Sequence, residues 1–345
     1  AAVKLAGASG FVAWDWTDQS TGLYGEQLEI IFGADTDSNN DVILGGYATG
    51  DWDATNKNGV RHLAAVKLES STGDEVWRFQ DVAQDSMSTT FYTIYGSGTI
   101  ADVAVDDDDN VFLVGGTYNS LVDGEGYPGD RDYFIIKIDG VSGTEIFTVQ
   151  GGLSFHWDAL YAAKVDFAGD VVAAGTSGSE GQTNFLVVKL SGTDGSVLWE
   201  YSPVSFTIDV LHAVDVDDQG NVYVSGGEDA DNRLGAITES PVVMKLSSAN
   251  GALEWMYSGA TTSRTVFWSV SVDPTTGWVV GAGYTEGTWL VGEAQGGIDF
   301  AAVVLDGDIG EELARYQNGT DGRDGIKFAG FDSAGALFFG GYTSG

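Results

Sequence analysis

The sequence is short of several residue types, and each shortage excludes a class of protein. Among its 345 residues there is no cysteine, and only 4 prolines and 3 histidines occur. Disulfides, thiolate catalysis and cysteine-based zinc sites are therefore excluded. Its 15 basic residues face 51 acidic ones, and the resulting net charge of −36 repels phosphate backbones and anionic lipid. No apolar run approaches the ~18 residues of a membrane span, so we expect neither a nucleic-acid partner nor direct membrane insertion.

The abundant residues indicate a folded β protein. Hydrophobic residues make up 43% and aromatic residues 12% of the chain, which is enough apolar area to form a core. The 50 glycines and the many aspartates favour turns and strands, because both residues are poor helix formers. The chain begins Ala1-Ala2-Val3 rather than with Met, as expected of a secreted protein after its signal peptide is removed.

A first repeat has the form Val-Asp-x-x-Gly/Asn-Asn/Asp-Val, followed by an apolar run that ends in Gly. Its aspartate recurs six times, 51–69 residues apart, as Asp37, Asp106, Asp166, Asp217, Asp273 and Asp332. An Asp at the first position of a turn accepts backbone N–H bonds, while a later Gly or Asn supplies the positive φ. We therefore interpret the six copies as hairpin turns, with calcium ligation by the same aspartates as the alternative.

A second repeat alternates with the first and reads apolar-Lys-Leu, four residues, Gly, three residues, then Trp. Its lysines are Lys4, Lys67, Lys137, Lys189 and Lys245, with Val304 in the sixth copy. Its tryptophans are Trp14, Trp77, Trp199 and Trp255. A lysine in a buried strand buries its stem and meets a carboxylate, so we expect it to pair with the turn aspartate of its own blade. The periodic tryptophans are expected to pack between blades.

Both repeats predict β-hairpins, and two hairpins make one four-stranded antiparallel sheet. Six such sheets predict an all-β fold, a six-bladed β-propeller in a single domain spanning residues 1–345. The chain starts with a second-type hairpin in residues 1–16 and ends with a first-type hairpin in residues 324–343. Pairing of these N- and C-terminal hairpins would complete the sixth blade and close the ring.

Residues 185–227 carry the most complete copy, with Phe185–Leu190 as the lysine strand, Asp209, and Val216–Gly226 as the Asp turn and its following strand. This arrangement resembles the β-propeller repeat family of secreted and surface proteins. The Gly-x-x-x-Trp element is similar to that of quinoprotein propellers, whose tryptophans dock neighbouring blades. The resemblance implies a scaffold, but it supplies no single activity and no catalytic motif.

The long segments that do not repeat are expected to lie on one face of the propeller and to carry its function, because binding residues concentrate on variable loops. These segments are 48–62, 78–97, 118–131, 228–240 and 285–298. The candidate ligand-binding residues are Trp52, Tyr92, Tyr118, Tyr127, Arg131 and Trp289. Aromatic faces beside carboxylates suit carbohydrate, and they suit a protein interface equally well.

Four of the six positions eight residues before the turn aspartates are acidic. They are Glu29, Asp158, Asp209 and Asp324. In a closed propeller these carboxylates would share one rim of the central channel, and such an oxygen-rich ring suits a hard cation. We therefore consider them candidate Ca²⁺ ligands, and the alternative is that each one caps its own loop.

The leading functional hypothesis is a secreted or surface-exposed, non-enzymatic propeller that binds a protein or polysaccharide partner through its long loops, with Ca²⁺ as its candidate cofactor. A polysaccharide hydrolase or lyase that uses loop carboxylates is one alternative. A structural subunit of an extracellular assembly is another. The acidic composition suits a saline or calcium-rich exterior, where excess carboxylates keep a protein hydrated.

Overall fold

The computed structural model describes most of the chain. The described residues are 2–5, 12–16, 28–49, 61–81, 98–118, 120–122, 131–152, 156–179, 182–205, 207–229, 239–259, 263–290, 297–332 and 334–344. Their regular elements are all β-strands, which confirms the all-β prediction. None of them forms a helix long and apolar enough to cross a membrane. The chain divides into two compact units, Ala1–Leu160 and Tyr161–Gly345.

The first unit contains one two-stranded and two four-stranded antiparallel sheets, and in each sheet every strand pairs with the next one along the chain. The two-stranded sheet is β1 (Ala2–Leu5) and β2 (Val12–Trp16). The first four-stranded sheet is β3 (Leu28–Thr36), β4 (Val42–Thr49), β5 (Arg61–Leu68) and β6 (Glu75–Asp81). The second is β7 (Gly98–Val105), β8 (Val111–Thr117), β9 (Asp132–Ile138) and β10 (Glu145–Gly151).

The second unit contains three four-stranded antiparallel sheets and one final hairpin, again paired in chain order. The first sheet is β11 (Ala159–Val165), β12 (Val171–Ser179), β13 (Gln182–Leu190) and β14 (Val197–Tyr201), with β11 beginning just before the unit boundary. The next is β15 (Asp209–Val216), β16 (Val222–Asp229), β17 (Glu239–Leu246) and β18 (Leu253–Ser258). The third is β19 (Thr265–Val272), β20 (Trp278–Thr285), β21 (Asp299–Asp306) and β22 (Glu312–Asn318). The final hairpin is β23 (Asp324–Phe331) and β24 (Leu337–Thr343).

The core lies between successive sheets within each unit. The second and third strands of a sheet are buried along most of their length, whereas fourth strands such as β14 and β18 are largely exposed. First strands pack on the preceding sheet at very short range. A Cβ on Gly33 of β3 would lie 2.5 Å from the Cα of Asp102 in β7, so only glycine permits this approach of two backbones.

The aspartate turns form as predicted. In the turn between β11 and β12, Asp166 Oδ1 accepts the backbone N–H groups of Ala168 (2.9 Å) and Asp170 (3.1 Å). One residue at the end of the turn, three or four positions after the aspartate, adopts positive φ in every copy. These residues are Asn40, Asp109, Gly169, Gly220, Gly277 and Gly335. The backbone-accepting role of the repeated aspartates is therefore confirmed.

The predicted lysine–aspartate pairs are confirmed in three sheets. They join Lys67 to Asp37 at 2.6 Å, Lys137 to Asp106 at 2.9 Å and Lys189 to Asp166 at 2.6 Å, and all six side chains are buried. The β15–β18 sheet differs, because the Tyr223 hydroxyl donates to Asp217 Oδ2 (3.1 Å) and Lys245 lies 3.5 Å from Glu254.

The tryptophans join each sheet to the next, as predicted. Trp199 Nε1 donates to the Ser248 carbonyl in the following sheet at 3.0 Å, and a Cβ on Gly251 would lie 2.5 Å from the Trp199 ring. We call this contact of a tryptophan with the glycine and a backbone carbonyl of the next sheet the tryptophan joint. Three further tryptophans form it. They are Trp14 with Gly73 and Ser70, Trp77 with Gly143 and Gly140, and Trp255 with Gly310 and Gly307.

Candidate functional site

The connections at the two ends of the sheets differ in length. We call turn end the end formed by connections 37–41, 69–74, 106–110, 139–144, 166–170, 191–196, 217–221, 247–252, 273–277, 307–311 and 332–336, each five or six residues long. The opposite end, the loop end, has connections of between two residues (180–181) and 16 residues (82–97). The long segments singled out from the sequence all fall at the loop end. Because consecutive strands are antiparallel, this assignment follows from strand order alone.

The candidate carboxylates lie at the loop end of the first strands and are buried. Asp209 and Asp324 are the first residues of β15 and β23, and Asp158 immediately precedes β11. Glu29 lies in β3, but its side chain is outside the described residues. Thr207 Oγ1 donates to Asp209 Oδ1 at 2.9 Å. Hydrogen bonds of this kind are those of a carboxylate that caps its own loop.

Asp324 shows the capping geometry most fully. The Thr320 backbone N–H and its Oγ1 both donate to Asp324 Oδ2, at 2.6 and 2.9 Å. Burial raises the pKa of Asp324, but hydrogen bonds from Thr343 and Thr320 outweigh it and hold the pKa below its usual value. The carboxylate is therefore stabilised in its charged form by the loop that it closes.

Two of these carboxylates have a second carboxylate beside them. A Cβ on Gly319 would lie 2.3 Å from Asp299 Oδ1 and 3.0 Å from Asp324 Oδ2. In the first unit, a Cβ on Gly152 would lie 2.6 Å from Asp158 Oδ2 and 2.9 Å from Asp132 Oδ1. Within the described ranges no group of three or more acidic or histidine side chains could hold a metal ion. Asp158 and Asp324 thus each lie beside one further carboxylate.

Each pair is tied to the fourth strand by a glutamine. Gln150 Nε2 donates to Asp132 Oδ2 at 2.7 Å, while its Oε1 accepts the backbone N–H of Leu121. Gln317 donates to Asp299 Oδ2 at 2.6 Å and accepts the N–H groups of residues 289 and 290. The same arrangement therefore anchors a loop-end connection in each unit. Sequence reasoning missed it, although an Asp at the start of the third strand was a visible signal in both copies.

The candidate ligand-binding residues have three different outcomes. Trp52, Tyr92 and Tyr127 lie outside the described residues. Tyr118 and Arg131 are half-buried at the loop end, and the Arg131 guanidinium lies over Gly116 of β8.

Trp289 lies in the core of its sheet. It is 4% exposed, its ring meets Phe267 edge-on with centroids 5.9 Å apart, and the Arg315 guanidinium lies 4.2 Å over it. These contacts give the ring a packing role.

A further group of residues comes from irregular positions of the first strands. The register shifts by one residue at His212 in β15, at Trp268 in β19 and at Lys327 in β23. Each of these residues stands five positions before its turn aspartate, and Tyr161 has the same position in β11. Such β-bulges re-aim a side chain and are frequent beside functional sites.

These residues form contacts within the second unit. The rings of Tyr161 and His212 are 6.1 Å apart, and Lys327 Nζ lies 3.1 Å over the ring of Trp268. Tyr284 packs against Trp268 with centroids 4.6 Å apart. We call Tyr161, His212, Trp268, Tyr284 and Lys327 the bulge cluster.

The charges around the bulge cluster keep His212 neutral. Burial lowers the pKa of His212, and the positive charges of Lys327 and Arg264 lower it further, to about 4. Arg264 itself pairs with Glu239 at 2.7 Å and lies 3.9 Å from Glu286. Burial also lowers the pKa of Lys327. At neutral pH the imidazole therefore offers one hydrogen-bond donor and one acceptor, and Lys327 is one of the charges that act on it.

Comparisons with known proteins identify the fold. No protein-family model and no curated protein sequence matches the chain. A Hadza microbial sialidase is similar in structure, with a TM-score of 0.51 and 13% identity over 87% of this chain and 60% of the sialidase. This similarity defines the class: the chain has a β-propeller fold.

Two other solved propellers are similar at lower scores. BamB from Moraxella catarrhalis has a TM-score of 0.46 and 12% identity, over 96% of this chain and 85% of BamB. The quinohemoprotein alcohol dehydrogenase from Comamonas testosteroni has a TM-score of 0.49 and 13% identity, over 90% of this chain and 46% of the enzyme. At these identities the comparisons describe the scaffold and leave the activity open.

Proposed function

We propose that the chain is a closed six-bladed propeller, secreted or surface-exposed, that binds a polysaccharide through its loop end without chemical conversion. The observation that carries this proposal is the confinement of variable length to one end of the sheets. A scaffold whose turns are uniform at one end and diverse at the other presents its specificity on the diverse end. A protein partner is the alternative occupant of the same loops.

The two incomplete sheets support closure because they are complementary halves. The β1–β2 hairpin has the register of a third and fourth strand, since Lys4 lies opposite Trp14 as Lys189 lies opposite Trp199. The β23–β24 hairpin has the bulge and the aspartate turn of a first and second strand. Pairing of the two hairpins would form a sixth four-stranded sheet.

The exposure of β24 supports the same proposal. The equivalent second strands β8, β12 and β20 are buried almost throughout, whereas β24 is exposed from Phe338 to Thr343. An uncovered apolar strand at a sheet edge is an aggregation hazard that native proteins cover. If the closed ring followed the register of the complete sheets, Phe338 would pair with Lys4 and Phe339 with Val3.

Introduced cysteine pairs test whether the ring closes. No native thiol competes with them, because the chain contains no cysteine. Val3→Cys with Phe339→Cys should form an intramolecular disulfide, since directly opposed residues lie within disulfide reach. Asp15→Cys with Phe339→Cys is the matched control. Asp15 lies in β2 opposite Val3, so β1 would separate it from Phe339 of β24 by about 10 Å. This distance is too long for a disulfide bond. A disulfide-linked dimer, or equal oxidation of both variants, would refute the closed ring.

Polysaccharide binding is tested by altering each end of the sheets separately. Purified protein is passed over immobilised acidic and neutral polysaccharides, and retention is compared with that of two variants. Replacing residues 230–238 or 82–97 by a short Gly/Ser linker should abolish retention. Replacing Asn110 by Gly at the turn end should leave it unchanged, because Gly accepts turn conformations readily. Retention by no polysaccharide, or equal losses from both ends, would overturn the proposal.

The same experiment separates binder from enzyme. Release of reducing ends during incubation would favour the hydrolase alternative and refute the non-enzymatic proposal. The two carboxylate pairs that the structure describes are almost fully buried, between 0% and 5% exposed. Such carboxylates have no access to a polysaccharide, so the observation favours the binding function.

Ca²⁺ binding at Glu29, Asp158, Asp209 and Asp324 stays a prediction. Paired carboxylates supply part of the oxygen set that Ca²⁺ prefers, and a cation would relieve the repulsion between them. Thermal unfolding in Ca²⁺ and in chelator tests it. A rise in Tm with Ca²⁺ that Asp158→Asn reduces would support the prediction, and identical Tm values would exclude it.

A further inference from the structure

We propose that the bulge cluster is a second binding site, separate from the loop end, for a small carboxylate that carries a ring. Its five members lie on five strands of one compact unit, β11, β15, β19, β20 and β23. The proposal depends on residues of the second unit alone and is independent of the polysaccharide proposal above.

The first step concerns the charge of Lys327. The repeated strand lysines Lys67, Lys137 and Lys189 each meet a buried carboxylate. Lys327 makes no ion pair among the described residues, and its ammonium instead lies over the face of Trp268 at 3.1 Å. In a chain with 51 acidic residues, a lysine held without a carboxylate is an unusual arrangement. It leaves the ammonium available to an external anion.

The second step concerns the hydrogen-bonding groups beside that charge. His212 is neutral at physiological pH, so it can donate to a carboxylate oxygen without adding a second charge. Tyr161 lies against His212 and carries a hydroxyl that can also donate. The ammonium of Lys327 acts on His212 through its charge, and an ammonium together with neutral donors is the set of groups that recognises a carboxylate.

The third step concerns the aromatic surfaces. Trp268 and Tyr161 are half-buried, so part of each ring is exposed to solvent within the bulge cluster. Ligand sites in proteins combine aromatic surface with a few fixed polar groups. The rings therefore favour a carboxylate attached to a sugar or aromatic ring over a simple inorganic anion.

The bulges explain why these residues differ from the rest of the strand. A regular strand repeats its side-chain pattern every two residues, and the extra residue in a bulge is released from the pairing pattern. Because the ladder does not constrain its identity, the position takes His, Trp and Lys in three successive sheets. The first unit has the same bulge at Phe32 and Ala101, so the bulge belongs to the repeat and its side chain is free to vary from sheet to sheet.

Binding is measured by titrating the intact protein with glucuronate and with benzoate, using tryptophan fluorescence and calorimetry. Glucose and benzyl alcohol are the uncharged controls. At least one carboxylate should bind, and its uncharged counterpart should bind at least tenfold more weakly. A preference for glucuronate identifies a sugar acid, and a preference for benzoate an aromatic acid.

Lys327→Met tests the assignment of the site. It should weaken carboxylate binding at least tenfold and leave Tm almost unchanged, because the lysine side chain is exposed. Lys164→Met, which removes an exposed lysine of β11 that lies 4.0 Å from Asp215, is the matched control and should bind normally.

Equal losses in the two lysine variants, equal binding of charged and uncharged probes, or binding of neither carboxylate would overturn the proposal. Competition by sulfate at the same concentration as the organic carboxylate would also overturn it, because it would indicate general attraction of anions. Polysaccharide retention at the loop end is expected to be unchanged in Lys327→Met. A loss there would show that the two sites are one.

Discussion

The turn end and the loop end of the sheets treat the same residue types differently. At the turn end, aspartate always accepts backbone N–H bonds, and in three sheets it also pairs with a lysine. At the loop end, buried aspartates accept hydrogen bonds from loop residues such as Thr207 and Thr320, or from a fourth-strand glutamine such as Gln150. Repeated chemistry therefore belongs to the scaffold, and the departures from the repeat distinguish one sheet from another.

Breaking a turn-end ion pair should have the largest effect on stability. Lys189→Met leaves the buried Asp166 carboxylate without its partner and is expected to cost about 3–5 kcal/mol in the free energy of unfolding. Lys164→Met removes an exposed lysine at 4.0 Å from Asp215, whose carboxylate also accepts two backbone N–H groups, and should cost less than about 1 kcal/mol. Denaturant unfolding measures both values. Similar costs for the two variants would show that the turn-end pair contributes no more than a surface pair.

Disrupting the tryptophan joint should have the second-largest effect on the free energy of unfolding. Gly251 and Gly277 both adopt positive φ, +67° and +72°, so alanine strains the backbone at either site. Only at Gly251 would the new Cβ meet a ring, since nothing lies within 4 Å of a Cβ on Gly277. Gly251→Ala should therefore lose about 1–3 kcal/mol more than Gly277→Ala. Equal losses in chemical denaturation would mean that the Trp199 ring moves aside freely.

The bulge cluster, which lies between the two ends of the strands, should make the free energy of unfolding depend on pH. The folded-state pKa of His212 is about 4, below its ordinary value of 6.5, so the unfolded chain binds a proton first as pH falls. The free energy of unfolding should therefore decrease between pH 6.5 and about 4, by about 1 kcal/mol at pH 5 after allowance for partial exposure. The charged neighbours Lys327 and Arg264 act in the same direction.

His212→Gln keeps a polar side chain but cannot take up this proton. Its Tm should fall less steeply than that of the parent protein over the same pH range, and its Tm at pH 8 should change little. Parallel Tm curves for the two proteins would show that His212 is protonated equally in the folded and unfolded states.

Lengthening a connection at the loop end should have the smallest effect on the free energy of unfolding. Inserting nine Gly/Ser residues into connection 230–238 doubles its length and should cost about 0.6 kcal/mol, since loop closure depends only weakly on length. The same insertion into 217–221 removes the bonds from residues 219 and 221 to Asp217 and should cost several times more. Equal tolerance at both ends would remove the distinction between them.

The sequence predicted the scaffold well because the scaffold contacts repeat. A turn that needs Asp at one position and positive φ three or four residues later leaves a similar pattern in every copy, from Asp37 to Asp332. The lysine pairs and tryptophan joints could be predicted for the same reason. Tyr223 could not be predicted in this way. Its hydroxyl donates to Asp217 where the other sheets with an ion pair use a lysine, and this contact occurs in one copy of the repeat.

The candidate site was less predictable because its contacts do not repeat. Trp289 had the composition expected of a surface loop, yet Gln317 binds its backbone N–H and holds the segment against the core. The bulge cluster was missed because His212, Trp268 and Lys327 share a position but no residue type. Comparison of equivalent positions across the copies, rather than a search for recurring letters, would have found them.

The tryptophan joint has a consequence for how such a chain can change during evolution. Each complete joint takes a ring from one sheet and a glycine with its neighbouring carbonyl from the next, as Trp199 does with Gly251 and Ser248. A gene segment encoding one sheet therefore carries half of the joint before it and half of the joint after it. Duplication of that segment would bring matching surfaces on both sides, so an extra sheet could be accommodated before any compensating substitution arose.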